Sequence, residues 1–179
     1  LYLVAGDPGT GKTLVGMEFL QAGLERDETV LFVHSEESEK DLRANAREVG
    51  IDIDGAEFLD LGPGSDVFKT DQSYDLVDPH DVEAGKFVDQ LRDAIEEVDP
   101  DRVVIDPITQ LEYIEPTDYQ FRERLISFMR YLKEGGATVL ATKTMSPEYE
   151  DEDIRSLSDG IVRLELTEQG RRIAVPKHR

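Results

Sequence analysis

The sequence has no cysteine and no tryptophan, few lysines, and no apolar run of the roughly 20 residues that a membrane-crossing helix needs. Without cysteine, disulfides and thiolate metal sites are excluded. Only His, Asp, Glu and hydroxyl or carbonyl oxygens remain to hold a cation. No basic segment precedes Leu1-Tyr2-Leu3-Val4-Ala5, so no targeting leader is visible and a cytoplasmic location is the default expectation. The chain begins inside one strand pattern and stops at Arg179 just after another. It therefore reads as a single domain, 1–179, trimmed at both ends.

Positive charge is also scarce, with 20 Lys plus Arg against 40 Asp plus Glu and a formal net charge of -20. Such a balance could signal disorder, but the apolar residues come in separated periodic blocks, which argues for a folded core. Asp and Glu are equally frequent and run along the whole chain rather than forming a tail. Arg outnumbers Lys, 13 to 7. This pattern fits a surface adapted to a high-salt cytoplasm better than a surface shaped merely to repel nucleic acid. Molar salt shrinks the Debye length to about 3 Å and makes the self-repulsion tolerable. The histidines at 34, 80 and 178 share no metal-ligand spacing, and satisfied or solvated rings are the simpler reading. Tyr113, Tyr119, Phe121, Phe128 and Tyr131 suit core packing, and no basic, aromatic stripe suggests a nucleic-acid groove.

Apolar, β-prone runs alternate with helical patterns. Strands are expected at Leu1 to Ala5, Val30 to Val33, Phe58 to Leu61, Val103 to Ile105 and Thr138 to Ala141. Between them, helices are expected from about Lys12 to Glu25, from a Ser38 cap to Gly50 with Leu42, Ala46 and Val49 on one face, from Asp81 to about Val98, and from Tyr119 to Glu134. Gly62 to Pro79 and Met145 to Asp153 lack a period and read as mobile loops. Ile161 to Leu166 and Arg171 to Val175 form a terminal hairpin pattern. Strands regularly separated by helices call for an α/β fold with a mostly parallel sheet and helices on both faces.

Gly6-Asp7-Pro8-Gly9-Thr10-Gly11-Lys12-Thr13 fits the pattern G-x-x-x-x-G-K-[ST], set between a strand and a helix. Its glycines let backbone N–H groups turn toward phosphate oxygens at a helix N-terminus. Lys12 adds charge at the β- and γ-phosphates, and the Thr13 hydroxyl can ligate Mg²⁺. Residue spacing, strand and helix agree, which a glycine-rich turn that binds nothing would not require. Asp106 ends the apolar run Val103-Val104-Ile105, where open α/β sheets place ligands, and is a second candidate for the Mg²⁺ shell. A helix-capping or loop aspartate is the alternative. Glu36 and Glu37 follow the second strand, and a glutamate there can orient or deprotonate a water attacking the γ-phosphate. Side chains alternate along an extended chain, so the two cannot point the same way. Glu36 is taken as the principal base and Glu37 as its assistant; a solvated charge pair opening a helix is the competing view.

Taken together, GDPGTGKT, FVHSEES, ANAREVGID, RVVIDPIT, SLSDGIVRL and VPKHR resemble the KaiC-like ATPases of the RecA superfamily, with RadA-type recombinases as more distant relatives. The resemblance implies a RecA-like P-loop NTPase core, with the sheet ordered third, second, fourth, fifth, first strand and then the hairpin. It implies Mg-ATP bound between the subunits of a homo-oligomeric, commonly hexameric ring. By that resemblance Glu36 and Glu37 are the catalytic glutamates beside Lys12, Asp106 is the Walker B aspartate, and Thr142 faces the γ-phosphate region. The nucleotide is held by Gly6 through Thr13 with Leu14 next to it. Lys177 and Arg179 match a K-x-R that reaches the neighbouring subunit's nucleotide, Arg179 as an arginine finger. A basic, solvated chain end is the alternative for that pair. Arg155-Ser156 stands where the clock protein's second domain has adjacent phosphorylatable hydroxyls, and the glycine that usually follows K-x-R is absent. A non-catalytic nucleotide switch with a signalling protein partner and a RadA-like repair ATPase are the other functions weighed.

Overall fold

The computed structural model describes residues 1–62, 92–93, 95–108, 127, 131, 134–145 and 158–178. All but the first residue of each expected loop, Gly62 to Pro79 and Met145 to Asp153, most of the third and fourth expected helices, Arg155, Ser156 and Arg179 lie outside them. In chain order the elements are β1 (Tyr2–Gly6), α1 (Lys12–Leu24), β2 (Val30–His34), α2 (Glu39–Glu48), β3 (Glu57–Asp60), β4 (Arg102–Asp106), β5 (Thr138–Thr144), β6 (Gly160–Thr167) and β7 (Gly170–His178).

The seven strands among the described residues form one sheet in the order β3-β2-β4-β5-β1-β6-β7. Every pairing is parallel except β6 with β7, which is antiparallel and carries an irregularity between Ile161 and Arg163. The central strands are apolar on both faces, as parallel strands covered from both sides must be. Leu3, Val33, Val103, Ile105 and Val139 belong to one buried cluster, on which Ile95 and Ile108 pack. Val4, Phe32, Val104 and Leu140 point the other way and meet Met17 and Leu20 of α1 and Leu42 and Ala46 of α2. Because strand side chains alternate, one sheet feeds two cores. None of the described helices is long and apolar enough to cross a membrane.

Helix α2 begins where expected: the Ser38 hydroxyl accepts from the Asp41 N–H, 3.2 Å away. Its end differs from the expected apolar stripe. Val49 is 55% exposed, because the chain leaves the helix there. The N–H of Ile51 donates to Ala46 O at 2.9 Å and that of Gly50 to Arg47 O at 3.1 Å, the paired bonds of a Schellman stop. Ile51 thus takes the core position that periodicity gives to Val49. Arg43 braces this unit, donating to the carbonyls of Ile53, Asp54 and Ala56 at 2.8, 3.1 and 3.1 Å while its guanidinium stacks over Phe58. Strand β5 continues past the apolar Ala141 to Thr144, and Thr142 and Lys143 are both buried.

Candidate nucleotide-binding site

The ends of β1, β2, β4 and β5 open on the same edge of the sheet, and the singled-out side chains gather there. β1 ends at Gly6, and the chain turns through Asp7, Pro8 and Gly9, all exposed, to buried Thr10. Gly9 and Gly11 adopt φ of 77° and 99°, the left-handed region that costs any other residue strain. The Thr10 hydroxyl donates to Asp7 O at 2.8 Å and closes the turn. Gly11 then caps α1 without any side-chain hydrogen bond, and the first turn has no acidic residue. An uncapped N-terminus with no carboxylate on it leaves its N–H groups and the positive end of the helix dipole for an anionic ligand.

Lys12 is 9% exposed and turns back over the loop, its Nζ donating to Gly6 O at 3.1 Å and Asp7 O at 3.0 Å. Burial pushes its ammonium below the ordinary lysine value, and the charges of Asp106, Asp7 and Glu36, in that order, oppose the shift. One cation is thus in the field of carboxylates from three segments. Thr13 is half-buried on the first turn of α1, and Leu14 packs against the core beneath that helix.

Asp106 is the last residue of β4, followed by a cis bond to Pro107. The fully buried Thr142 hydroxyl donates to its Oδ1, and Ile108 N–H donates to Thr142 O at 2.9 Å. Among the described residues no group of three or more His, Cys, Asp or Glu side chains converges as a metal cage. The hydroxyl of Thr13 and the carboxylate of Asp106 are hard oxygen donors on this edge, and their chemistry fits Mg²⁺, which keeps several waters and binds few protein oxygens at phosphate sites.

Beyond β2, Glu36 and Glu37 are both exposed but differently placed. The Glu37 carboxylate accepts from Asn45 of α2 at 2.8 Å. That of Glu36 has no hydrogen-bond partner among the described residues, yet its charge acts on Lys12. Asn45 and His34, which contacts the Glu37 main chain, have no signal in the sequence: each works through a fold-dependent partner. Lys177 is not part of this group. It lies on β7 opposite Ile161, which pairs with Leu3 at the far level of β1 from Gly6. Arg179 lies outside the described residues.

Comparisons with known proteins bear on the family and the fold. The family model described as the KaiC ATPase matches residues 1–179. The UPF0273 protein of Aeropyrum pernix is 30% identical over 176 residues, covering 93% of this chain and 69% of that protein. The circadian clock oscillator protein KaiC of Synechococcus elongatus is 34% identical over 153 residues, covering 82% of this chain and 28% of that longer protein. The crystal structure of a KaiC-like protein from Pyrococcus horikoshii superimposes with a TM-score of 0.76 at 23% identity, covering 99% of this chain and 78% of the other. At that identity the structural match speaks for the fold.

Proposed function

The chain belongs to the KaiC ATPase family, and from that premise we propose that it binds Mg-ATP at the Gly6 to Thr13 loop and hydrolyses it, with Glu36 as principal base. The observation that carries the proposal is Lys12 itself: a buried cation at an uncapped helix N-terminus, folded back on the loop carbonyls of Gly6 and Asp7 and in the field of Asp106 and Glu36. On this reading the loop N–H groups and Lys12 bind the phosphates, Lys12 exchanging its loop carbonyls for phosphate oxygens. Thr13 and Asp106 would hold Mg²⁺, which when bound supplies charge neutralisation at the β- and γ-oxygens. The Thr142 hydroxyl keeps Asp106 oriented from below. Glu36, without a hydrogen-bond partner among the described residues, receives the proton of the attacking water, and Glu37 is held back by Asn45 as its assistant.

The proposal includes a ring. Lys177 is two strands from β1 and level with its far end; on this reading it and Arg179 serve a neighbouring copy's nucleotide rather than their own. A trans arginine is worth about 10³ to 10⁵ in rate where one acts. The decisive experiment measures turnover and ATP affinity of wild type and Glu36→Gln in molar salt, with particle mass determined with and without Mg-ATP. Expected are nucleotide-dependent assembly, intact affinity in the variant and collapse of its turnover. Binding with turnover indifferent to Glu36→Gln points instead to a switch, and stimulation by single-stranded DNA to a repair ATPase. Absence of Mg-ATP binding sinks the proposal.

A further inference from the structure

His34 ends β2 and is 3% exposed. Phe32 and Phe58 meet its ring edgewise, with centroids 6.2 and 5.8 Å away. Its Nδ1 lies 2.8 Å from the carbonyl oxygen of Glu37. A carbonyl can only accept, so Nδ1 carries the hydrogen and donates it. Nε2 is buried with no hydrogen-bond partner among the described residues. An apolar ring would fill the same space without that cost, so what histidine adds here is the Nδ1 donor.

That bond closes a short loop around Ser35, Glu36 and Glu37. On its near side the His34 main chain is fixed, its carbonyl accepting from Leu61 N–H at 2.7 Å. On its far side Ser38 caps α2 and Asn45 holds the Glu37 carboxylate. His34, Glu37 and Ser38 are all anchored, and the carboxylate between them that has no anchor is that of Glu36. We propose that His34 is a positioning residue for hydrolysis, its Nδ1–H bond to the Glu37 carbonyl setting the bend that aims Glu36 at the attacking water. This inference rests on the ATPase reading above, and it assigns His34 no contact with the nucleotide.

The test compares wild type with His34→Asn, His34→Gln and His34→Phe in the full chain with Mg-ATP in molar salt. The asparagine amide sits near the place of Nδ1 and can still reach the Glu37 carbonyl. The glutamine amide falls near Nε2, and phenylalanine keeps the ring without a donor. His34→Asn should retain most of the turnover, while His34→Gln and His34→Phe should lose about ten- to a hundredfold in kcat, the scale that slight misplacement costs, with ATP affinity unchanged. A merely structural role would instead lower affinity and melting temperature together. Independently of turnover, ¹⁵N chemical shifts of the wild-type ring, assigned by their loss in His34→Phe, should show the Nδ1–H form. An Nε2–H form, or three variants that turn over like wild type, overturns the proposal. A wild type that binds but never hydrolyses ATP overturns the ATPase reading and this inference with it.

Discussion

Thr142 and Asp106 are joined across the seam between β5 and β4, the threonine hydroxyl donating to the carboxylate. Hydrogen bonds to charged groups contribute about 1.5–3 kcal/mol, roughly twice neutral ones. Thr142→Val keeps the shape and removes the donor, so it should lower stability by about 1–3 kcal/mol and weaken ATP binding in the presence of Mg²⁺. Thr142→Ser should recover most of both. Urea midpoints at constant slope measure the first effect, and a valine variant with the wild-type midpoint would show that the bond contributes nothing.

At Gly6 there is no room for a methyl group. A Cβ there would lie 2.5 Å from the Leu164 carbonyl oxygen and 2.8 Å from the Thr10 hydroxyl. The first of these is main chain of the paired strand β6 and cannot rotate away, so Gly6→Ala must push β1 from β6 or open the phosphate loop. Overpacking of this kind costs about 1–3 kcal/mol. The expected result is a lower melting temperature together with at least tenfold weaker ATP binding. Wild-type affinity in Gly6→Ala would mean that the loop tolerates displacement of its first residue.

Lys12 links pH to stability through its burial. Its folded-state value lies below the ordinary 10.5, so between the folded and unfolded values the unfolded chain holds more protons and stability rises with pH. Below that interval the cost of burying the charge is fully present; above it the cost is relieved. Lys12→Met has no such group, and the carbonyls it abandons keep other donors, from Met145 N–H at Gly6 and from Thr10 at Asp7. Without nucleotide or Mg²⁺, the methionine variant should be at least as stable as wild type at pH 7 while no longer binding ATP. The difference should shift in favour of wild type as pH climbs toward 10. A difference flat across that range would contradict the burial cost.

The acidic surface predicts a salt response. With a net charge of -20, self-repulsion is strongest in dilute buffer and falls as the Debye length shrinks from about 30 Å at 0.01 M to about 3 Å at 1 M. The melting temperature should rise between those conditions, in KCl as in NaCl. An unchanged value would remove the high-salt reading of the composition.

Much of this arrangement is legible in the sequence because its signals are local. The phosphate loop is contiguous, and Asp106 ends an apolar run whose length marks the strand. The sheet order follows from the resemblance, and the observed order agrees with it. Periodicity fails where another rule takes over. Val49 continues the apolar spacing of α2 but falls on a helix stop, so Ile51 is buried in its stead. The polar residues Thr142, Lys143 and Thr144 hide the last part of β5, because a strand that ends in a site buries polar groups that composition assigns to loops. Arg43 reads as a surface cation, and it does pair with Glu39 one turn back, yet it also donates to main-chain carbonyls ten to thirteen positions away. Such contacts exist only once α2 and β3 have docked.

The position of β1 has a consequence for how the chain acquires its binding site. Tyr2 through Gly6 are paired on one side with Leu140 through Thr144 and on the other with Gly160 through Leu164. Both neighbours are supplied by distant sequence, which makes the closure entropically expensive and slow. During synthesis the strand that carries the phosphate loop lacks one or both lateral neighbours until residue 164 has followed it. The nascent chain must keep this apolar segment from other partners throughout that interval. ATP-binding capacity should therefore appear abruptly, once β5 and β6 close on β1 from both sides.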